Sequence, residues 1–546
     1  MRTRFLLALL FSALPLCTFA AAGYERRGNS VTLPVPGGWA KIEWVTTGAF
    51  RCCRGWGWPA GCPDLADREP VAFTDHGELG SVELRSRGLA VRIEKATGRI
   101  TIATAEGVAL LEEAGIARSG SSSVAVRFRI SPSEKFQGLG MRDGPVFLHA
   151  ARVTTRWPFL LSNRGYGIYF PAPGEWEFDL GASASGMLEA RAQDGKRLEY
   201  FFYQGGSPKE VFEEHFAASS QVERLNAHDI RVAPPSDWPA EASPIGSFGP
   251  PCWDTLRATV RALINGSLSA ALLPAWDLTP WRNAPAGLHR RAAQLAVFLP
   301  LLGDSTLPQM RPQHPALDTA SAALRARLTP FLLTYTLEAH DRGFPVIHPL
   351  AMQFPDDAQG ASLEDEFFFG DEILVAPALD TTGRRRVYLP MGRWTDLWSH
   401  ATYKGKQTIE IEVPEHAPAL LVKNGSLIPL AAERAGEPME LHYFPALGGE
   451  FFLAEDGLWQ PTQLHASPAG DYYRLETESK KDRDYEWIVH HLAKPSKVTE
   501  GDEVYLEVGD RTMLANGCWY YDAAQRNLHV RQQARAGADQ VINIAF

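Results

Sequence analysis

The chain has 546 residues, 45% of them hydrophobic and 22% charged, which excludes a disordered polypeptide and predicts several domains. Its formal net charge is −10, and no lysine or arginine run is long enough to track a phosphate backbone, so no nucleic-acid partner is expected.

Arg2 and Arg4 precede an apolar run from Phe5 to Leu16, and Ala20, Ala21 and Ala22 supply the small residues of a cleavage site. This is the pattern of a secretory signal peptide over residues 1–22, which predicts a secreted or periplasmic protein. The apolar run falls short of the roughly 20 residues that a membrane helix requires, so no membrane insertion is expected. Beyond Cys17 lie Cys52, Cys53, Cys62, Cys252 and Cys518. An oxidising compartment favours a short-loop disulfide from Cys52 or Cys53 to Cys62, with Cys53–Cys62 taken as the pair, and an odd count leaves a free thiol. No histidine pair or second CxxC lies near these cysteines, so neither a metal nor a cofactor is expected.

From Ser30 to Tyr203, short alternating segments such as Val124–Ile130 and Leu198–Tyr203 are separated by Gly, Pro and Asn turns, predicting a β-sandwich over residues 23–205. Ser207, Pro208 and Glu210 form the N-cap, N1 and N3 of a capping box that opens a helix through Phe216. Ala227–Pro251 is rich in proline with little periodicity, and reads as a linker or boundary. Trp253 opens a helical stripe through Val260, Leu263 and Ile264, and Leu324–Arg342 is a second helix stopped by Gly343 and Pro345. Ala270–Trp276 and Phe344–Leu350 lie between helices as parallel strands would. After Phe367 strand texture returns, through Ile373–Pro377, Arg386–Leu389, Ala419–Val422 and Ser426–Leu430, and persists to Phe546.

Several local motifs carry a resemblance to a known family. Phe136-Gln137-Gly138-Leu139-Gly140, Pro158 to Ile168, and Gly205 to Val211 stand in order ahead of the helical region. Downstream follow Leu324 to Pro349, Phe369-Gly370-Asp371 with Leu374-Val375-Ala376-Pro377, Tyr388-Leu389-Pro390 with Gly392-Arg393-Trp394, and Asn424 to Pro429. In this order the chain resembles glycoside hydrolase family 31, the α-glucosidase and α-xylosidase family. The resemblance implies a multidomain α+β protein: an N-terminal β-sandwich, a (β/α) barrel segment over residues 206–379, and two C-terminal β-domains over 380–450 and 451–546. Only about 160 positions separate Phe216 from Asp380, whereas a complete (β/α)8 barrel takes roughly 250, so the barrel is expected to be truncated to its last three units. The exposed edges of such a barrel require cover, expected from Ala227–Pro251 or from the N-terminal domain.

The resemblance also implies retaining hydrolysis by two carboxyl groups. No counterpart of the strand bearing the family's nucleophile Asp is present, and alignment on Gly249 and Trp253 places Pro250 where the acid/base Asp belongs. Of the sugar-binding residues, Asp277 matches the Asp of the family's "DiGGF" turn, and Arg291 and Gln294 match part of "RWlQ". Gly303 and Ser305 replace an Arg and a His. Asp277 is therefore the sole weak catalytic candidate, and Asp277, Trp276, Trp281 and Arg291 are the candidate substrate-binding residues. Trp56 and Trp58 offer a second stacking platform if exposed. Asp254 reads as a helix-dipole residue, and Asp304 and Glu338 as surface charges. Two readings follow: a catalytically impaired relative that binds α-linked oligosaccharide or assists assembly, or an active α-glycosidase with substituted carboxylates such as Asp277.

Overall fold

Period-two alternation, as in Met187–Ala192 where every second side chain is buried, gives sheets with one face turned inward. A computed structural model describes residues 23–546 apart from 57–61, 66–67, 120–122, 194–196, 219–231, 234–241, 304–316, 435 and 456–459. The proposed signal segment, Trp58, Asp304 and Ser305 lie outside the described residues. Two antiparallel sheets of eight and nine strands form the N-terminal unit. Trp44, Phe128, Trp176, Tyr200 and Phe202 are fully buried between them. The disulfide joins Cys53 to Cys62, while Cys52 is a buried free thiol and Cys252 an exposed one.

Helix α1 (Pro208–Ala218) begins as its capping residues require. Ser207 Oγ accepts from the Glu210 amide at 3.3 Å, and the Glu210 carboxylate accepts from the Gly206 amide at 2.6 Å. Helix α2 (Trp253–Ser267), α3 (Ala286–Ala296) and α4 (Thr319–Arg342) follow. Helix α4 starts one turn earlier than its apolar stripe suggests, because the Asp318 carboxylate caps it by accepting from the Ser321 amide at 2.8 Å. It ends at Gly343, whose φ of +75° is the left-handed cap that glycine adopts without strain.

The stretch from Val232 to Gly303 also forms a four-stranded, all-parallel sheet among the described residues, in the spatial order Val232–Ala233, Leu301–Gly303, Leu273–Asp277, Ala242–Pro244. Ala227–Pro251 is thus not simply a linker: both outer strands come from it. Each outer strand has two or three residues, which keeps the exposed edges short. The N-terminal unit packs on α2, where the Asn265 amide donates to Arg142 O and Gly144 O, both at 3.0 Å, and Ser269 Oγ accepts from the Gly140 amide at 2.7 Å. Gly138 is required at this seam, since a Cβ there would lie 2.6 Å from Phe159 O and 2.9 Å from Leu268 O.

The expected parallel strand at Phe344–Leu350 is corrected to Ile347–His348, which pairs antiparallel with Phe368–Phe369. It joins a six-stranded sheet completed by Ile373–Ala376, Ala419–Lys423, Arg393–Asp396 and Thr402–Lys404. Strand pairing therefore runs across the expected boundary at 379/380, because the apolar strings on either side of it are hydrogen-bonded to each other. Two further six-stranded sheets take in strands from Leu427 to the C-terminus, so the last unit begins ahead of residue 451. The architecture is a mostly β, multidomain chain with few helices.

Candidate functional site

In a parallel sheet flanked by helices, side chains and loops at the carboxyl ends of the strands face the same cleft. Here the ends are Pro244, Asp277 and Gly303, locked in register by Ile245 N to Ala275 O at 2.8 Å and Leu278 N to Gly303 O at 2.9 Å. Asp277 is half-buried at its strand's end, and its Oδ1 accepts from the Thr279 amide at 2.9 Å and the Thr279 hydroxyl at 2.6 Å. That is a local turn cap, which uses one carboxylate oxygen to start the 3₁₀ turn Thr279–Asn283. Trp276 and Trp281 flank it edge-to-face with ring centroids 5.3 Å apart. Both are core residues, 4% and 6% exposed, so neither presents a broad ring face to solvent.

Arg291 is engaged elsewhere. Its Nη1 donates to Gln294 Oε1 and to Pro414 O, each at 2.8 Å, and its Nη2 reaches Val413 O at 3.4 Å. Gln294 in turn donates to Glu415 O at 2.8 Å. The pair that sequence places in a sugar site thus holds α3 to the loop 413–415. Pro250 lies in an exposed turn after Gly249, whose φ is +118°, and its carbonyl accepts from Thr255 Oγ1 at 3.1 Å, fixing the entry of α2. Asp254 is exposed in the first turn of α2 and pairs with Arg257 at 2.6 Å, in keeping with a helix-end role.

A second cluster was invisible as a site in the sequence. Tyr335, Glu338, Asp371, Glu372 and Glu455 line a cavity of about 440 Å³ between α4 and the C-terminal sheets. Lys209 Nζ donates to both Asp371 oxygens at 2.7 and 2.9 Å, Gln353 donates to Asp371 at 2.7 Å, and Tyr335 OH donates to Glu372 at 2.7 Å. Burial, reinforced by the neighbouring Asp371 charge, pushes Glu372 up to about 8, whereas His348 and Lys209 hold Asp371 below the ordinary carboxylate range against its burial. Glu338, expected to be a bland surface charge, is half-buried, and burial raises its carboxyl as well. The one available signal was that Lys209 and Asp371 are charged residues inside otherwise apolar or turn-forming motifs. No group of three or more His, Cys, Asp or Glu suited to a metal ion occurs among the described residues.

A model of the glycosyl hydrolase family 31 C-terminal domain matches residues 343–428, the segment that forms the sheet crossing position 380. α-Glucosidase 2 of Bacillus thermoamyloliquefaciens is 28% identical over 286 residues, 46% of this chain and 36% of that protein. The chain is a relative of glycoside hydrolase family 31. Isomaltosyltransferase of Sporosarcina globispora is 25% identical over 325 residues, 52% of this chain and 30% of that protein, so the matches span about a third of the length of these two proteins. Among solved structures, the family 31 dextranase of Flavobacterium johnsoniae complexed with glucose superposes with a TM-score of 0.79 at 15% identity, covering 96% of this chain and 99% of that one. A mutant of the same dextranase, complexed with isomaltotriose, superposes equally well, at a TM-score of 0.79.

Proposed function

We propose that this family 31 relative is an exported, catalytically impaired protein built on a shortened barrel, which binds α-linked oligosaccharide rather than cleaving it. The observation that carries this reading is the acid inventory at the sheet mouth. Among the described residues at the ends of the three longer parallel strands, Asp277 is the sole carboxylate, and it is turned back onto Thr279. Retaining hydrolysis needs two carboxyl groups about 5–5.5 Å apart, and inversion two at about 6.5–9.5 Å. Pro250, where the resemblance puts the acid/base, has neither charge nor proton. The four-strand parallel sheet supports a half barrel, and the Cys53–Cys62 disulfide supports export to an oxidising compartment. The isomaltotriose-bound relative supports the choice of α-linked glucan as ligand class.

The test is release of 4-nitrophenol from α-glucoside and α-xyloside by the purified chain, with Asp277→Asn alongside, and binding to an oligosaccharide panel. No release above the uncatalysed rate, together with measurable binding, is the expected outcome. Release that Asp277→Asn abolishes overturns it.

One observation favours a second reading, residual hydrolysis through another acid pair: Glu372 and Asp371 share a cavity and their proton affinities are driven apart. Release that survives Asp277→Asn but is lost in Asp371→Asn would select it. The ties from Lys209, Gln353 and Tyr335 already account for these carboxyls as braces between α1, α4 and the C-terminal sheet.

A further inference from the structure

A small pocket in the N-terminal unit lies apart from the sheet mouth and from the Asp371/Glu372 cavity. Trp39 and Gly55 face each other across the strand pair Gly38–Trp44 and Ala49–Gly55. A Cβ at Gly55 would lie 2.5 Å from Trp39 Cζ2 and 2.9 Å from its Nε1, so the indole lies against bare backbone. Next to it the strand Ala109–Ser119 carries a bulge, where the register moves from Gly115 opposite Arg127 to Glu113 opposite Phe128. A bulge redirects side chains. Here Glu113 is fully buried, with Oε2 2.5 Å from Arg54 Nη2 and Oε1 accepting from Tyr200 OH at 2.8 Å. Trp39, Arg54, Trp56, Glu113, Gly115 and Arg118 together line a cavity of about 160 Å³.

Two features of this cavity point to a ligand. Trp39 is 5% exposed and Arg54 6%, yet Trp39 Nε1 and Arg54 Nε are buried donors with no hydrogen-bond partner. A buried donor left unpaired is costly, and two on residues that line one small cavity call for an oxygen acceptor. The second feature is the rim: Trp56 is half-buried, with the Arg118 guanidinium 5.0 Å from its ring centroid. At Gly37 and Gly115 an added Cβ would meet nothing within 4 Å, so the glycines leave the pocket its space. Unpaired donors on two of the lining residues, an aromatic ring with a guanidinium beside it, and room for one ring describe an acceptor-rich, flat-faced ligand. We propose that this pocket binds a single pyranose unit of a glycan, with its hydroxyls accepting from Trp39 and Arg54 and its apolar face against Trp56. The site is separate from the parallel-sheet mouth and stands or falls independently of the reading proposed there.

The experiment uses the full chain with its disulfide intact and a panel of methyl pyranosides (α-glucoside, α-xyloside, α-galactoside and α-glucuronide), read by saturation-transfer NMR and by tryptophan fluorescence. Saturable binding of at least one at millimolar concentration is expected, weakened about tenfold in Trp56→Ala and kept in Trp56→Phe. Each variant should unfold at the wild-type temperature. Absence of saturable binding by every member up to roughly 50 mM overturns the proposal, because water then satisfies the donors. Binding that Trp56→Ala leaves unchanged overturns it too, because the sugar then sits elsewhere on the chain.

Discussion

Arg325 shows how a single side chain holds the helical layer together. It is 6% exposed on α4, and its guanidinium donates to Val297 O at 3.0 Å, Leu299 O at 2.6 Å and Pro300 O at 3.0 Å. Those carbonyls belong to the chain that leaves α3 and enters the parallel strand Leu301–Gly303. Burial lowers the Arg325 pKa to about 10, still far above neutrality, so the group stays charged and the carbonyls stay paired. Arg325→Met removes the donors while keeping the apolar volume. It is expected to cost about 3 kcal/mol, read as a lower denaturant midpoint, because several buried acceptors lose their partners together. An unchanged midpoint would mean that water reaches them.

At the scale of elements, the contact between α4 and the turn 370–372 turns a packing problem into a pH dependence. Gly370 has φ +60°, and a Cβ there would lie 2.3 Å from Tyr335 Cε2, so the turn passes directly over the ring. Tyr335 OH accepts from the Asp371 amide at 3.0 Å and donates to Glu372, which burial and the Asp371 charge raise from 4.5 to about 8. Between those two values the folded chain keeps a proton that the unfolded chain releases. Stability therefore falls as pH rises from about 4.5 to about 8. Glu372→Gln keeps an oxygen for Tyr335 and removes the titration. Its unfolding temperature should match wild type near pH 4.5 and exceed it above pH 8 by the equivalent of about 5 kcal/mol at most. Equal slopes for the two proteins would show Glu372 to be ionised in the fold.

For the whole molecule, the opposite flank of the pH profile is set where the C-terminal sheets meet. His442 Nδ1 and His490 Nε2 are 3.0 Å apart, and His400, from the sheet that crosses position 380, stacks on His490 with centroids 5.8 Å apart. Phe444 stacks on His490 with ring centroids 4.2 Å apart. Burial first, then the charge of neighbouring histidines, lowers His490 well below its usual value, and burial lowers His442 despite the Glu440 carboxylate. Histidines with depressed folded values bind fewer protons folded than unfolded. Stability is therefore lost as pH falls through about 6.5, the unfolded value. Thermal unfolding at pH 7 and pH 5 should show this loss, and His490→Gln should reduce it. A loss of equal size in the variant would place the acid sensitivity elsewhere, with His215 and His348, each lowered to about 4 by burial, as the next groups to test.

Features governed by a few adjacent residues could be read from the chain alone: the Ser207/Glu210 cap, the stop at Gly343, the alternation of the N-terminal strands, and the ordered motifs that resemble family 31. Each depends on short-range geometry, so local residue type carries the information. Tertiary structure alone decided what distant segments do to one another. It sent Ile347–His348 into an antiparallel sheet, drew both outer parallel strands from Ala227–Pro251, and turned Arg291 toward the carbonyls of 413 and 414. It also gathered Tyr335, Asp371 and Glu372 around one cavity with Lys209 tied to Asp371, and left a donor unpaired on each of Trp39 and Arg54, which line another. These outcomes rest on contacts between residues far apart in sequence, whose pairing is settled by packing and by the need to satisfy buried polar groups, neither of which leaves a periodic trace.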